Sequence, residues 1–352
     1  MRTRRVATVL PTVVLTVVVL VCDCALPSLR GGEEVASTLA AAPRPVESFV
    51  SRRGANLVLE GRRLRYLSYN AFTLTGCGLA DEIPSEGEVD AFFASLRPNS
   101  LVRTWFFMNT DLERFDRIVA IASAHNQKLI PVLTDDLGSC GDPEGAKTDR
   151  WYAGGFRDRF MPWLRQVVDR YRNEPAIGMW ELVNEPGGKT GDIRRFFDTA
   201  GGEIHRLDRN HLVESGAQAP WAYGGARRWR HIHESPGIDV TSLHEYDMNA
   251  GASPHLAGAV TQSDALRKPL ILGEVGIFAS TDGNPNQSQD GHPCVPFASR
   301  VTEFRAKLDA TFRTRVDGVN VWNWMPLNKN TCRLETYPDD PLVAMIRTYV
   351  LH

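Results

Sequence analysis

Apolar residues along this chain follow two alternating rhythms. Short unbroken runs read as buried strands, and returns at every third or fourth position read as one face of a helix. Val58-Leu59 and the run at 64–67, either side of Glu60-Gly61, predict a short hairpin leading into a first core strand that ends near Asn70. Residues 101–107 predict a second strand and residues 129–133 a third, which ends at Asp135 and Asp136. Between those two, Leu112, Phe115, Ile118, Val119 and Ala122 recur at helical spacing, and Phe160, Leu164, Val167, Val168 and Tyr171 do so after the third. A fourth strand is expected at 176–183, then a helix stripe through Ile193, Phe196, Phe197, Ala200, Ile204 and Leu207. Further runs at 212–213, 238–243, 269–272 and 318–324 complete the series, with Val301, Phe304, Leu308 and Phe312 marking the helix before the last strand.

Eight strands of this buried type, mostly followed by helices, predict an α/β fold, a closed (β/α)8 TIM barrel forming a single catalytic domain. An open doubly wound sheet would want a glycine-rich phosphate turn after the first strand, and none is present. No internal repeat or second domain is evident.

A barrel of this kind carries its chemistry at the C-terminal ends of its strands. Strand two delivers Arg103 there, and strand four delivers Asn184 and Glu185 just before Pro186, which cannot continue a ladder. Strand six delivers His244 and Tyr246, strand seven Glu274, and strand eight Trp322 and Trp324. Residues two apart on a strand share a face, so each of the last two pairs is expected on one face. Two carboxylates among tryptophan, histidine and tyrosine suit glycoside hydrolysis, which needs one protonated acid, one ionised partner, and aromatic faces for sugar rings. Arg103 would keep the attacking carboxylate ionised.

Composition narrows the picture. The chain has 352 residues and a net charge of −2. It carries no basic stripe of the kind that binds nucleic acid. Arg2, Arg4 and Arg5 precede an apolar run at 6–21, so residues 1–25 read as an export signal, with an uncleaved N-terminal membrane anchor as the alternative. Cys22 and Cys24 lack the small preceding residues that lipid attachment prefers. Residues 26–45 read as a flexible linker and 46–352 as the catalytic domain. The product would be secreted or held at the cell surface, and a monomer is expected. Cys77, Cys140, Cys294 and Cys332 then suggest two disulfides of unassigned pairing. No C-x-x-C spacing suggests zinc, and His231 and His233 lack companion ligands, so neither metal nor cofactor is expected.

Residues 180–186, 204–213, His244-Glu245-Tyr246 and 268–276, with 102–106 and 128–130, resemble glycoside hydrolase family 5 within the retaining (β/α)8 glycosidase clan. Among its branches they look most like the endo-β-1,4-mannanases. The resemblance covers nearly all of the chain from about Phe49 onward. It implies Glu185 as general acid/base, Glu274 as nucleophile and Asn184 on the sugar hydroxyl beside the reacting carbon. It further implies His244 and Tyr246 as orienting groups, Arg103 near Glu274, and a strand-eight tryptophan as sugar platform, with Trp322 preferred to Trp324. The implied substrate is a β-linked polysaccharide or oligosaccharide. Other readings are a β-glucanase, another cell-wall glycan hydrolase or transglycosylase of the same fold, and a sugar-binding protein without chemistry.

One departure stands out. The mannanases commonly end strand three with two amides and a tryptophan, whereas this chain has Asp135-Asp136-Leu137. Of the remaining groups, Glu181 is expected to pair inside the barrel with an arginine, and Glu245 and Glu234 to be solvated or to stand behind the site. Trp151, Trp163, Trp221 and Trp229 are expected to be packing residues.

Overall fold

The computed structural model describes residues 47–78, 82–246, 251, 253–281, 283, 288–289, 292–327 and 332–351. These belong to one compact unit, Pro43–His352. The leader and the linker expected at 1–25 and 26–45 lie outside the described residues, as do Cys22 and Cys24.

Eight parallel strands build the barrel: β1 (Tyr66–Tyr69), β2 (Leu101–Trp105), β3 (Lys128–Val132), β4 (Met179–Glu181), β5 (Leu212–Glu214), β6 (Thr241–Glu245), β7 (Leu270–Val275) and β8 (Gly318–Val321). They form two runs, β2-β3-β4-β5 and β6-β7-β8-β1. Parallel bridges Asn70↔Arg103 and Glu214↔Val240 join the runs and close the barrel. A main helix follows each strand: α1 (Glu86–Ser95), α2 (Leu112–Ala124), α3 (Phe160–Tyr171), α4 (Thr190–Leu207), α5 (Ala226–His233), α6 (Pro254–Leu266), α7 (Phe297–Phe312) and α8 (Pro341–Thr348), with a further short helix, Asp149–Ala153, ahead of α3.

The helix stripes read from the sequence are the faces that pack inward. In α3, Phe160, Leu164, Val167, Val168 and Tyr171 are all buried, each such apolar side chain contributing about 1.5–3 kcal/mol relative to exposure. Helices α1 and α6 have the weakest apolar periodicity and are marked instead by their starts, as is α8. Ser85 and Glu88 form a reciprocal capping box ahead of α1. Ser253-Pro254 and Asp340-Pro341 pair a capping side chain with a proline in the first turn of α6 and α8.

The opening hairpin is a three-stranded antiparallel sheet of Ser51–Arg53, Asn56–Leu59 and Arg62–Arg63. Its Leu57 and Leu59 join Tyr66, Leu101, Ile130, Met179 and Ile271, which lie at or near the starts of their strands, in one buried cluster. The hairpin therefore plugs the N-terminal end of the barrel. Asp317 fastens it there by accepting from the Leu57 N–H and from Arg63 Nε. The opposite end stays free for chemistry.

Two disulfides join Cys77 to Cys140 and Cys294 to Cys332. Among the described residues no helix is long and apolar enough to cross a membrane.

Candidate active site

Arg103 is the hub of the C-terminal rim. Fully buried, it gives Nε and Nη2 to Glu181, each at 2.5 Å, so the guanidinium fork and the carboxylate are paired edge to edge. Nη2 also reaches Asn184 Oδ1 at 2.8 Å, while Nη1 serves Asn70 Oδ1 at 2.8 Å and Glu274 Oε1 at 2.7 Å. The Trp105 ring lies beneath the guanidinium, 4.8 Å from its carbon. Burial alone would lower the pKa of Arg103, but the Glu181 charge outweighs it and the net shift is upward. One fixed cation thus orients residues from β1, β4 and β7 at once.

Glu181 behaves as its sequence context suggests, as the interior partner of an arginine. Glu214 is fully buried beside it and accepts from the Gly216 N–H at 2.7 Å. Burial and the neighbouring Glu181 push the Glu214 carboxyl well above the usual range, so it stays protonated. Two acids and one arginine are balanced this way without a second cation.

Asn184 and Glu185 leave β4 under tight control. Asn184 N–H donates to Thr134 O and Glu185 N–H to Gly216 O, which anchors the chain between its neighbours. Glu185 has φ 50°, a left-handed conformation that a glutamate adopts only where surrounding bonds enforce it. Gly216 makes that approach feasible. A Cβ there would lie 1.9 Å from Val183 O and 2.5 Å from Glu181 Oε1, and its own φ is +64°. Asn184 Nδ2 donates to Asp135 Oδ1 at 2.8 Å, leaving one amide hydrogen uncommitted.

His244 stands between the two candidate carboxylates. Its Nδ1 is 2.8 Å from Glu185 Oε1 and 3.5 Å from Glu274 Oε1. Tyr246 donates to Glu274 Oε2 at 2.5 Å, so Glu274 has donors on both oxygens. The pairing of β6 with β7 sets Glu274 beside His244, with a register shift between Leu272 and Glu274. Gly273 lets the imidazole come close, because a Cβ there would lie 2.8 Å from His244 Nε2.

One carboxylate oxygen from each of Glu185 and Glu274 and one ring nitrogen of His244 lie within 4.8 Å of one another. Such a group is close enough to share an ion, yet each member already has a protein hydrogen-bond partner. Burial would raise the Glu185 pKa, but its hydrogen bond to His244 outweighs this and holds the carboxyl below the usual range. Burial raises Glu274, against the pull of the His244 and Arg103 charges.

The two strand-eight tryptophans part company. β8 ends at Val321, so alternation along a strand does not govern 322–324. Trp322 stacks on Phe72 at 5.5 Å between ring centres and meets Trp105 at 5.8 Å, half-buried at the rim. Trp324 is buried and packs against Phe92 of α1. The expectation that both share one face, and that Trp324 could serve as platform, is corrected accordingly: Trp324 belongs to the core.

Other groups also fall into place. Asp135 is buried, holding Asn184 and the Ser139 N–H, while Asp136 accepts from Tyr152 OH. The acidic end of strand three is therefore turned into the protein. Glu245 is buried and bonded to Ser253, so it is not solvated, whereas Glu234 lies half-exposed among Arg194, Arg230 and His231. His233 is buried, bonded to Trp229 O and Ser215 Oγ. Trp151, Trp163 and Trp229 are packing residues as expected, but Trp221 is exposed.

Asn70, Glu214 and Gln218 were not predicted. Gln218 Nε2 lies 3.5 Å from Glu185 Oε2. Asn70 had a detectable signal, a polar side chain at the end of the first core strand. Glu214 had one too, an acid closing a buried strand.

The sequence model for the family described as GH family 5 beta-mannosidase-like matches residues 148–268. The mannan endo-1,4-beta-mannosidase 2 of Oryza sativa subsp. japonica is 27% identical over 342 residues, covering 76% of this chain and 75% of that protein. The mannan endo-1,4-beta-mannosidase A of Hypocrea jecorina is 25% identical over 305 residues, covering 71% and 68%. Among solved structures, the endo-1,4-beta-mannanase from Rhizomucor miehei superposes with a TM-score of 0.68 at 20% identity, covering 86% of this chain and 98% of that one. The endo-beta-1,4-mannanase from Thermotoga petrophila gives 0.64 at 19%, covering 82% and 76%. Both structures share the barrel fold.

Proposed function

We propose that this chain is a retaining glycoside hydrolase of family 5, near its mannanase branch, that cuts β-1,4-linked mannan internally. The observation that carries this reading is the spacing of two carboxylates. One oxygen of Glu185 and one of Glu274 lie within 4.8 Å of each other, which suits the close carboxyl pair of double displacement (~5–5.5 Å between groups) and not the ~6.5–9.5 Å pair that leaves room for a water.

Glu274 is the nucleophile. Arg103 and Tyr246 hydrogen-bond to its two oxygens, which orients the carboxylate and favours its ionised form when sugar occupies the site. Glu185 is the acid/base. In the ligand-free site the proton balance between the two carboxylates runs the other way, with Glu185 lowered by His244 and Glu274 raised by burial. The hydrogen bond between Glu185 and His244 is the path by which the acid/base acquires the proton it delivers. Transfer within that bond gives a neutral acid facing the leaving oxygen. Glu274 then bonds to the anomeric carbon as the C–O bond breaks and Glu185 gives up its proton. In the second step Glu185 takes a proton from water, whose oxygen displaces Glu274.

Asn184 contributes its free amide hydrogen to the neighbouring sugar hydroxyl, and Trp322 provides the platform beneath the sugar at the cleavage point. No cofactor enters this chemistry. Export is supported by the arginines at 2, 4 and 5 ahead of the apolar run and by two disulfides, which suit an oxidising compartment. The monomer is the working form, since one chain supplies the site.

Purified protein and its Glu274→Ala variant, given mannans, glucans, xylans and galactans, test the reading. Mannan should be cut by the parent protein alone. Equal product from both proteins would defeat the mechanism, and release from glucan only would move the substrate.

A further inference from the structure

The left-handed backbone at Glu185 is held from both sides. Upstream the anchors are backbone bonds: besides those made by the Asn184 and Glu185 N–H groups, Asp136 N–H donates to Asn184 O at 3.0 Å. Downstream they are side chains from the loop after β3. Asp136 Oδ1 accepts from Tyr152 O–H at 2.6 Å, and the same carboxylate accepts from the Gly187 N–H. Oδ2 lies so close that a Cβ on Gly187 would be 2.7 Å from it. The Tyr152 ring covers the next residue, since a Cβ on Gly188 would lie 2.5 Å from Cδ2.

This clasp has its own support. Tyr152 is buried in the short helix Asp149–Ala153, whose first turn is capped by the Thr148 side chain. Lys147 N–H donates to Asp136 O at 2.7 Å, which ties the approach to that helix back to the end of β3. The half-buried acid at the rim is thus committed to the turn that leaves Glu185 and to a buried tyrosine. A positive φ is uphill for a glutamate and persists only while its surroundings enforce it. Letting go of one end of the turn would let the backbone relax, and with it the direction of the Glu185 side chain. A general acid must stay within hydrogen-bond reach of the oxygen it protonates.

We infer that Asp136, backed by Tyr152, is a positioning residue for the acid/base step: together they clasp the Gly187-Gly188 turn and keep the Glu185 carboxyl aimed at the leaving oxygen. The inference rests on the proposed role of Glu185 and deepens it. It gives the acidic end of strand three a part in proton delivery without contact to sugar.

Two substrates and azide test it. The leaving group of a dinitrophenyl β-mannobioside departs without a proton, whereas mannohexaose needs one. Glu185→Ala sets the reference pattern. Mannohexaose activity is lost, kcat/KM on the aryl substrate is kept, and azide raises its kcat. Azide nitrogen bonds to the anomeric carbon as the Glu274 oxygen leaves, which requires no general base and releases a glycosyl azide. Asp136→Ala should repeat this pattern in weaker form, with kcat on mannohexaose down about tenfold and KM within about twofold. Its kcat/KM on the aryl substrate should stay within about twofold of the parent, with glycosyl azide formed. Tyr152→Phe, which keeps the ring, should give a smaller loss of the same kind. Asp136→Asn still accepts from the Gly187 N–H and should recover most of the activity. A loss shared equally by both substrates, a rise in KM alone, or no azide response in Asp136→Ala and Tyr152→Phe would overturn the clasp and leave the proposed function standing. A Glu185→Ala variant without an azide response would overturn the proposed acid/base, and the clasp with it.

Discussion

Arg103 and Glu181 form a buried, two-point ion pair in which Nε and Nη2 each reach a carboxylate oxygen at 2.5 Å. Neither is proposed to react, yet the pair fixes the orientation of the Nη1 that serves Glu274. A lysine could supply the charge at this position but not the fork. Arg103→Lys should lower kcat/KM at least about a hundredfold, the scale of losing one preorganised charged donor. Glu181→Gln should lower unfolding free energy by about 1–3 kcal/mol, because the buried Arg103 loses its charged two-point partner and keeps Glu274 as counter-charge. Steady-state kinetics and urea unfolding check the two. A lysine variant with parental activity would mean that the fork has no role.

His244 sets the balance between the proposed acid and nucleophile. Its hydrogen bond is the leading influence that lowers Glu185 against burial. In His244→Gln that influence is lost, so Glu185 should titrate at higher pH and the linked limb of the pH–rate profile should move upward. Carbon-13 NMR of labelled glutamate side chains reads the shift directly. A Glu185 titration unchanged or moved downward would contradict the assignment.

Gly273 offers a way to disturb the imidazole without touching it. A methyl group at this position would lie 2.8 Å from His244 Nε2. Gly273→Ala should push the ring off Glu185 and lower kcat at least about tenfold, with KM and the melting temperature little changed. If kcat held steady while stability fell, the glycine would serve packing alone.

His233 predicts an acid limit of stability. Nδ1 donates to Trp229 O and Nε2 accepts from Ser215, so the buried ring is neutral, and burial lowers its pKa from 6.5 to about 3. Below pH 6.5 the unfolded chain binds a proton that the fold refuses. The stability from neutral His233 is therefore complete above 6.5 and is lost progressively as pH falls toward 3. His233→Gln keeps a donor and an acceptor but cannot titrate. Its urea-unfolding free energy should fall less steeply across this window, and an unchanged slope would contradict the assignment.

Most of the barrel and much of its rim were legible because strand ends in a closed barrel have one destination. Arg103, Glu185, His244, Tyr246 and Glu274 lie on different strands, and closure alone brings them together. The failures have equally local causes. Trp324 was misread because β8 stops at Val321, where two-residue alternation ceases to apply. Asp135 looked like a rim acid, but its partner is Asn184, whose side-chain direction depends on the turn at Glu185. Glu214 and Asn70 act through neighbours on adjacent strands, and the register that makes them neighbours is a property of the closed sheet. Trp221 was assigned to packing because periodicity distinguishes buried from exposed only inside regular elements.

The central claim is that Glu274 attacks the sugar while Glu185 delivers the proton. A fluorinated mannosyl fluoride, which forms a glycosyl-enzyme faster than water releases it, tests this most directly, with peptide mapping by mass spectrometry. The account predicts one adduct per chain, carried by the peptide containing Glu274 and absent from Glu274→Ala. An adduct on Glu185 or another residue, or hydrolysis with inversion and no adduct, would contradict it.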